Sequence, residues 1–198
     1  MPSITVLGGG ISGRSIALLA ARLGNGVFLS DEGEIGDETR NLLDAHGIGF
    51  ESGGHTERAL DCDAAVVSSG FPPSSRIILR LRERGISVTG ELDFAMPHLR
   101  ARVVGVTGSN GKTTTTSLIG HLLKSLGYNA VTAGNIGSPI SDAAGMDFDF
   151  IVAELSSFQL HWATSVRLSG AVVTNLAPDH IDWHGSYEDY VKAKASIL

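Results

Sequence analysis

The chain has 198 residues, a net charge of -6 and 42% apolar residues. That balance excludes a basic footprint for nucleic acid or an anionic membrane, so any phosphate ligand must be held by local features. The single cysteine, Cys62, excludes an internal disulfide framework and fits a reducing cytoplasm. The first residues lack the basic-then-apolar order of a signal peptide, and no apolar stretch approaches the ~20 residues of a membrane span.

In chain order, residues 4–7 read as an apolar strand, followed by the turn GGGISG and a helix whose Ile16, Leu19, Ala20 and Leu23 share one face. A strand over 27–30, a helix over 37–46 and a strand over 64–68 come next. The turn SSGFPP then leads to a helix over 75–84, with Ser75 as its cap, and a short strand over 86–88. Pro97 interrupts the pattern, which predicts domains over 1–97 and 98–198. The second begins with a strand over 102–106 and the turn TGSNGKTT. Its first helix places Leu118, Ile119, Leu122, Leu123 and Leu126 on one face. Gly24 and Gly127 sit where helix C-caps are expected. Further strands are predicted over 130–133, 150–153 and 170–174. Strands alternating with helices define an α/β chain. The expectation is an N-terminal Rossmann-like parallel-sheet domain followed by a P-loop ATPase-like α/β domain. The closing YVKAKASIL reads as the opening of a helix, so this second domain is expected to be incomplete.

The strongest chemical signal is GVTGSNGKTT, residues 105–114. A glycine-rich loop between a strand and a helix offers backbone amides and a helix dipole to phosphate. Lys112 is placed to reach β- and γ-phosphates, and the Thr113 hydroxyl to bind Mg2+. The generic loop has glycine five positions before Gly111, where this chain has Val106. Glu154 ends the apolar run DFIVAE, a position suited to a carboxylate that holds the metal. Ser156, Ser157 and Gln159 follow at the strand edge where ligands of open α/β sheets gather. Asn135, in GNIGSP, reads either as a donor to phosphate or metal-bound water, or as part of a plain turn. Asp179, His180, Asp182 and His184 cluster in NLAPDHIDWHG, either as metal ligands or as a solvated loop, with no zinc-like spacing. Gly8, Gly10 and Gly13 match the dinucleotide-binding pattern, and Asp31 stands where an acidic residue meets a ribose. By itself that turn reads as a site for NAD, FAD or another nucleotide diphosphate. SSGFPP reads as a second wall of the same crevice or as a simple turn.

Together and in this order, these motifs resemble the Mur ligases over nearly the whole chain. The loop T-G-[ST]-N-G-K-[ST]-[ST] is similar to that family's P-loop variant, which accounts for Val106. The N-terminal G-x-G-x-x-G with S-x-G-[IF]-P, then GNIG-x-P and E-x-S-S-F-Q-L, are similar to the D-glutamate-adding branch. Ser69 stands where that branch often has proline. The resemblance implies a UDP site lined by Ile11, Ser12, Asp31, Ser68 and Gly70. It implies an ATP site of Gly108, Ser109, Asn110, Gly111, Lys112, Thr113 and Thr114. Thr113 and Glu154 would hold a first Mg2+ and His180 a second. Lys194, in Y-x-x-A-K, would be carbamylated, which replaces an ammonium with an anionic oxygen ligand suited to a hard cation. Asn135, Ser156 and Gln159 would face the muramoyl substrate, and Lys112, His180 and Lys194 would serve the chemistry. The implied reaction adds D-glutamate to UDP-N-acetylmuramoyl-L-alanine through an acyl phosphate, with ATP and two Mg2+ ions. The family's D-glutamate-binding domain has no counterpart here, so the chain alone is expected to be inactive. A bacterial cytoplasmic monomer without nucleic-acid or membrane partners is expected. Another ligase of the family such as the L-alanine-adding one, an NAD-dependent oxidoreductase and a non-catalytic nucleotide-binding module remain as alternatives.

Overall fold

In the computed structural model, residues 1–164 and 166–198 are described. Internal contacts divide the chain into two units, Met1–Phe94 and Ala95–Leu198.

The first unit is a five-stranded parallel sheet in the order β3-β2-β1-β4-β5. Its strands are β1 (Ser3–Leu7), β2 (Gly26–Ser30), β3 (Gly49–Glu51), β4 (Ala64–Val67) and β5 (Ser87–Gly90). The helices are α1 (Ile11–Arg22), α2 (Asp37–Ala45), α3 (Arg76–Glu83) and the short α4 (Glu91–Ala95). Burial on both faces explains why β4 (AAVV) is a continuous apolar run and why even Thr5 of β1 is buried. Val6, Ile16, Ala20, Leu29, Leu43 and Val66 form the centre of the core. In register, Leu7 lies beside Ser30 on one side and Val67 on the other. The turn after β1 therefore meets Asp31 and Ser68 at one sheet edge. Strand order reverses between β1 and β4, the place where open α/β sheets bind ligands.

The second unit is a four-stranded parallel sheet in the order β7-β8-β6-β9. It comprises β6 (Arg102–Thr107), β7 (Ala130–Gly134), β8 (Phe150–Glu154) and β9 (Gly170–Val173). Its helices are α5 (Lys112–Ser125), α6 (Ser157–His161), α7 (Ile181–His184) and α8 (Tyr187–Ala195). Val106 and Gly134 both pair with Glu154, so the P-loop, the GNIG turn and Glu154 share one edge.

Several sequence expectations need correction. The apolar stripe of α5 is split: Leu118, Leu122 and Leu126 are 55%, 51% and 74% exposed, whereas Ile119 and Leu123 are half-buried on the face where Thr116 and Gly120 are buried. Gly120 lets the helix approach closely, since an added Cβ would lie 2.8 Å from Thr132 Cγ2. The packed face is thus centred on its small residues. Leu23, assigned to the buried face of α1, is 42% exposed at the helix end. Ser75 occupies the N-cap of α3, but its side chain makes no capping bond. Strands β3 and β5 were missed or displaced because three- and four-residue strands carry too little periodicity. Gly24 and Gly127 do end their helices in positive φ, at 82° and 89°.

Candidate functional site

The first candidate site is a cavity of about 640 Å³ at the switch point of the first unit. Gly8, Gly10, Asp31, Ser68 and Gly70 line it, as the sequence led us to expect. The turn is built around backbone contact. A Cβ on Gly13 would lie 1.8 Å from the Gly8 carbonyl oxygen, and one on Gly8 would lie 2.2 Å from Ser68 Oγ. Both positions therefore demand glycine. The Asp31 carboxylate accepts hydrogen bonds from the Gly9 amide and, at 2.7 Å, from the Gly33 amide. It braces two loops as well as facing the cavity. Ile11 and Ser12 begin α1, with Ile11 65% exposed, but neither is among the residues lining the cavity.

Phe71 and Pro72, in the SSGFPP turn read as a second wall of the crevice, do line it, whereas sequence reasoning did not single out His55, Arg76 or Arg80. His55 Nδ1 lies 2.7 Å from Ser30 Oγ, which donates to Glu51 at 2.7 Å. Its ring centroid is 5.9 Å from that of Phe71. Burial holds the His55 pKa below the ordinary 6.5, against the opposing pull of Glu32, Glu51 and Asp31. His55 follows β3, an element too short to announce itself, so no pattern pointed to it.

The second site lies at the edge of β6 and β8 in the other unit. Gly111 adopts φ 80° as the N-cap of α5, and Gly108 adopts φ 145°. A Cβ on Gly108 would lie 1.9 Å from Thr174 Oγ1. The loop is braced by Asn175, whose backbone oxygen accepts from the Ser109 amide and whose side-chain oxygen accepts from the Asn110 amide, both at 3.0 Å. Helix geometry leaves the first-turn amides, residues 112–114, without acceptors inside α5. Lys112 Nζ donates to the carbonyls of Gly108 and Ser109 at 2.9 and 3.0 Å. Glu154 is 2% exposed and accepts from Thr113 Oγ1 at 2.8 Å and from Asn135 Nδ2 at 2.9 Å. The three residues named in advance as metal- or substrate-facing thus meet on one carboxylate.

Lys194 is equally buried. Its Nζ donates to Gly108 O at 2.8 Å and to Thr107 Oγ1 at 3.3 Å. Burial first, and the charge of Lys112 second, bring its pKa from 10.5 to about 8. Lys112, Asn135, Ser156, His180 and Lys194 converge on a cavity of about 110 Å³ with Phe158, Asp179 and Tyr190. His180 is the one non-glycine residue with positive φ among those described, at 51°. Its Nε2 lies 3.4 Å from Asp179 Oδ2, and its ring centroid 4.7 Å from that of Phe158. Thr114 is exposed on the first turn of α5.

Ser156 and Gln159 form a reciprocal capping box at the start of α6: the Gln159 amide donates to Ser156 Oγ at 3.2 Å and the Ser156 amide to Gln159 Oε1 at 3.0 Å. Gln159 is 5% exposed and is not part of the cavity lining. The S-x-x-Q spacing is itself a helix-start signature. Tyr190, which the sequence showed only within Y-x-x-A-K, shares a 2.7 Å hydrogen bond with Ser109. Burial raises its pKa above 10, against that bond.

The oxygen pair Thr113 and Glu154 suits a hard cation such as Mg2+. Lys194 as an ammonium is not a ligand and repels a cation. Among the described residues no three His, Cys, Asp or Glu side chains form a metal-binding group. None of the described helices is long and apolar enough to cross a membrane.

Two parallel α/β units, each with a glycine turn at its sheet edge, have the architecture of nucleotide-phosphate-binding domains. The profile of the MurD N-terminal domain matches residues 3–77 and that of the Mur ligase middle domain residues 106–198. The chain belongs to the Mur ligase family. It is 45% identical over 200 residues to the UDP-N-acetylmuramoylalanine–D-glutamate ligase of Bacteroides fragilis, covering all of this chain and 45% of that protein. To the enzyme of the same name from Thermotoga maritima it is 40% identical, over 84% of this chain and 39% of that one. It therefore spans less than half the length of these relatives. The fold is shared with two solved ligases. One is a UDP-N-acetylmuramate:L-alanyl-gamma-D-glutamyl-meso-diaminopimelate ligase of Neisseria meningitides, at TM-score 0.65 and 21% identity, covering all of this chain and 69% of that one. The other is the UDP-N-acetylmuramate–alanine ligase of Thermotoga maritima, at TM-score 0.61 and 24% identity, covering all of this chain and 47% of that one.

Proposed function

We propose that this chain carries the UDP site and part of the ATP site of a ligase that adds D-glutamate to UDP-N-acetylmuramoyl-L-alanine. Residues 1–97 would bind the UDP portion and residues 98–198 the ATP. The observation that carries the reading is the meeting of Lys112, Thr113, Asn135, Glu154 and Lys194 around one P-loop. The identity to the D-glutamate ligases along the chain supports the choice of branch.

The chemistry follows from charge. A carboxylate must approach the γ-phosphate of ATP, and both are anionic. The amides of residues 112–114 and the Lys112 ammonium would hold the phosphates and offset that repulsion. To do so, Lys112 exchanges two loop carbonyls for phosphate oxygens. Thr113 and Glu154 would hold one Mg2+, and His180 with carbamylated Lys194 a second; the ions, when bound, supply further positive charge. Attack of the substrate carboxylate on the γ-phosphorus would release ADP and give an acyl phosphate, whose acyl carbon is then open to the amine of D-glutamate, with inorganic phosphate and a proton released as the amide forms. Asn135 and Ser156 would face the muramoyl end, whereas the capping box supports the reading of Gln159 as their brace. In the cell we place it in the bacterial cytoplasm as a monomer.

The test is calorimetric titration of the chain with UDP-N-acetylmuramoyl-L-alanine, with Mg2+ and a non-hydrolysable ATP analogue, and with NAD. Binding of the first two and not the third is expected, and NAD binding in preference to UDP would overturn the reading. A coupled ADP-release assay with all substrates should show no turnover by this chain alone.

A further inference from the structure

Four charged side chains line the 640 Å³ cavity of the first unit: Asp31, Glu32, Arg76 and Arg80. Three of them have partners or a sign that works against an anion. Arg80, together with Arg84, is engaged by Glu57. Asp31 holds the amides of Gly9 and Gly33, and with Glu32 places two carboxylates in the lining beside the turn. His55 is disfavoured as a cation, because burial holds its pKa below 6.5. Arg76 differs: among the described residues it makes no ion pair or hydrogen bond, and it is exposed at the cavity. It is also the first residue of α3, the helix end where a cation is disfavoured by the dipole. Neither packing nor pairing accounts for a guanidinium there.

We infer that Arg76 is a specificity-determining residue that recognises the diphosphate of the nucleotide-linked substrate in the cavity it shares with the glycine turn. This rests on the reading of the cavity as a UDP site. A diphosphate gripped only by the turn would face two carboxylates; Arg76 supplies the charge that reverses the local sign. A guanidinium offers paired donors to phosphate oxygens, and an anion beside the start of α3 removes the unfavourable dipole contact. Ser68 and Gly70, on the loop before α3, line the same cavity, and a Cβ on Gly70 would meet nothing within 4 Å.

The experiment titrates the full chain with UDP, UMP and uridine, as wild type and as Arg76→Ala, Arg76→Gln and Arg76→Lys, with a melting curve for each. Arg76→Ala should weaken UDP about 10-fold or more, UMP less, and uridine by under about twofold. Arg76→Lys should recover part of the loss, and raised salt should narrow the gap between wild type and Arg76→Ala. Melting temperatures should be unchanged or slightly higher in the Ala and Gln variants. Unchanged UDP affinity in a folded Arg76→Ala or Arg76→Gln protein overturns the role of Arg76 and leaves the UDP reading standing. Equal losses for UDP, UMP and uridine also overturn it, since they report a displaced loop and not charge recognition. A wild type that binds none of the three overturns both.

Discussion

The first unit secures its glycine turn with a carboxylate, and the second secures its own with two lysines. In the first, Asp31 accepts from the amides of Gly9 and Gly33, and a 640 Å³ cavity stands open beside the turn. In the second, Lys112 and Lys194 both donate to the Gly108 carbonyl, and the neighbouring cavity is about 110 Å³. The same strand–turn–helix rule therefore produces two different starting states. One is a preformed cradle whose backbone is already braced. The other is closed on its own cations, which must leave loop carbonyls before they meet phosphate. Binding at the second site is an exchange of partners, so its net gain is the difference between two charge-assisted hydrogen-bond sets.

The sharpest way to break this contrast is Gly13→Ala. Its Cβ would lie 1.8 Å from a backbone oxygen, with no flexible side chain to yield. We expect a loss of about 3 kcal/mol or more from the first unit and no measurable UDP binding by calorimetry. Both tryptophans, Trp162 and Trp183, belong to the second unit, so fluorescence should remain native-like. Next in size, Lys112→Ala should weaken a Mg2+-bound ATP analogue about 10- to 100-fold with little change in melting temperature. A variant that binds the analogue as tightly as wild type would show that the lysine stays on its carbonyls.

A smaller effect concerns pH. The folded-state pKa of His55 lies below 6.5, so between that lower value and 6.5 the unfolded chain holds a proton that the folded chain does not. Stability of the first unit should therefore rise with pH through this window and fall as acid is added. His55→Asn should lose less stability than wild type between pH 7 and pH 5, followed by circular dichroism; parallel curves would refute the assignment. The smallest expected change is Leu122→Gln. Because Leu122 is half exposed, chemical denaturation should move by no more than about 0.5 kcal/mol. A loss of several times that would restore the leucine stripe as the buried face.

The order of the longer strands and helices, the two glycine turns, the P-loop pattern and the carboxylate ending β8 were legible before any coordinates, whereas Lys194 stood out only through the resemblance to the family. They follow from local rules: apolar runs for strands buried on both faces, glycine where φ is positive or backbones touch, and residues spaced along a loop that must wrap phosphate. Those rules operate within a few residues, which is the range a sequence displays. Which face of α5 packs, and that His55 and Arg76 line one cavity with Gly10, were settled only by tertiary structure. Gly120 centres the packed face, with Leu118 and Leu122 turned out, because close approach to Thr132 is possible only without a side chain. His55 and Arg76 reach the cavity because strand register and the reversal between β1 and β4 bring distant loops to one edge, and no spacing along the chain encodes that meeting.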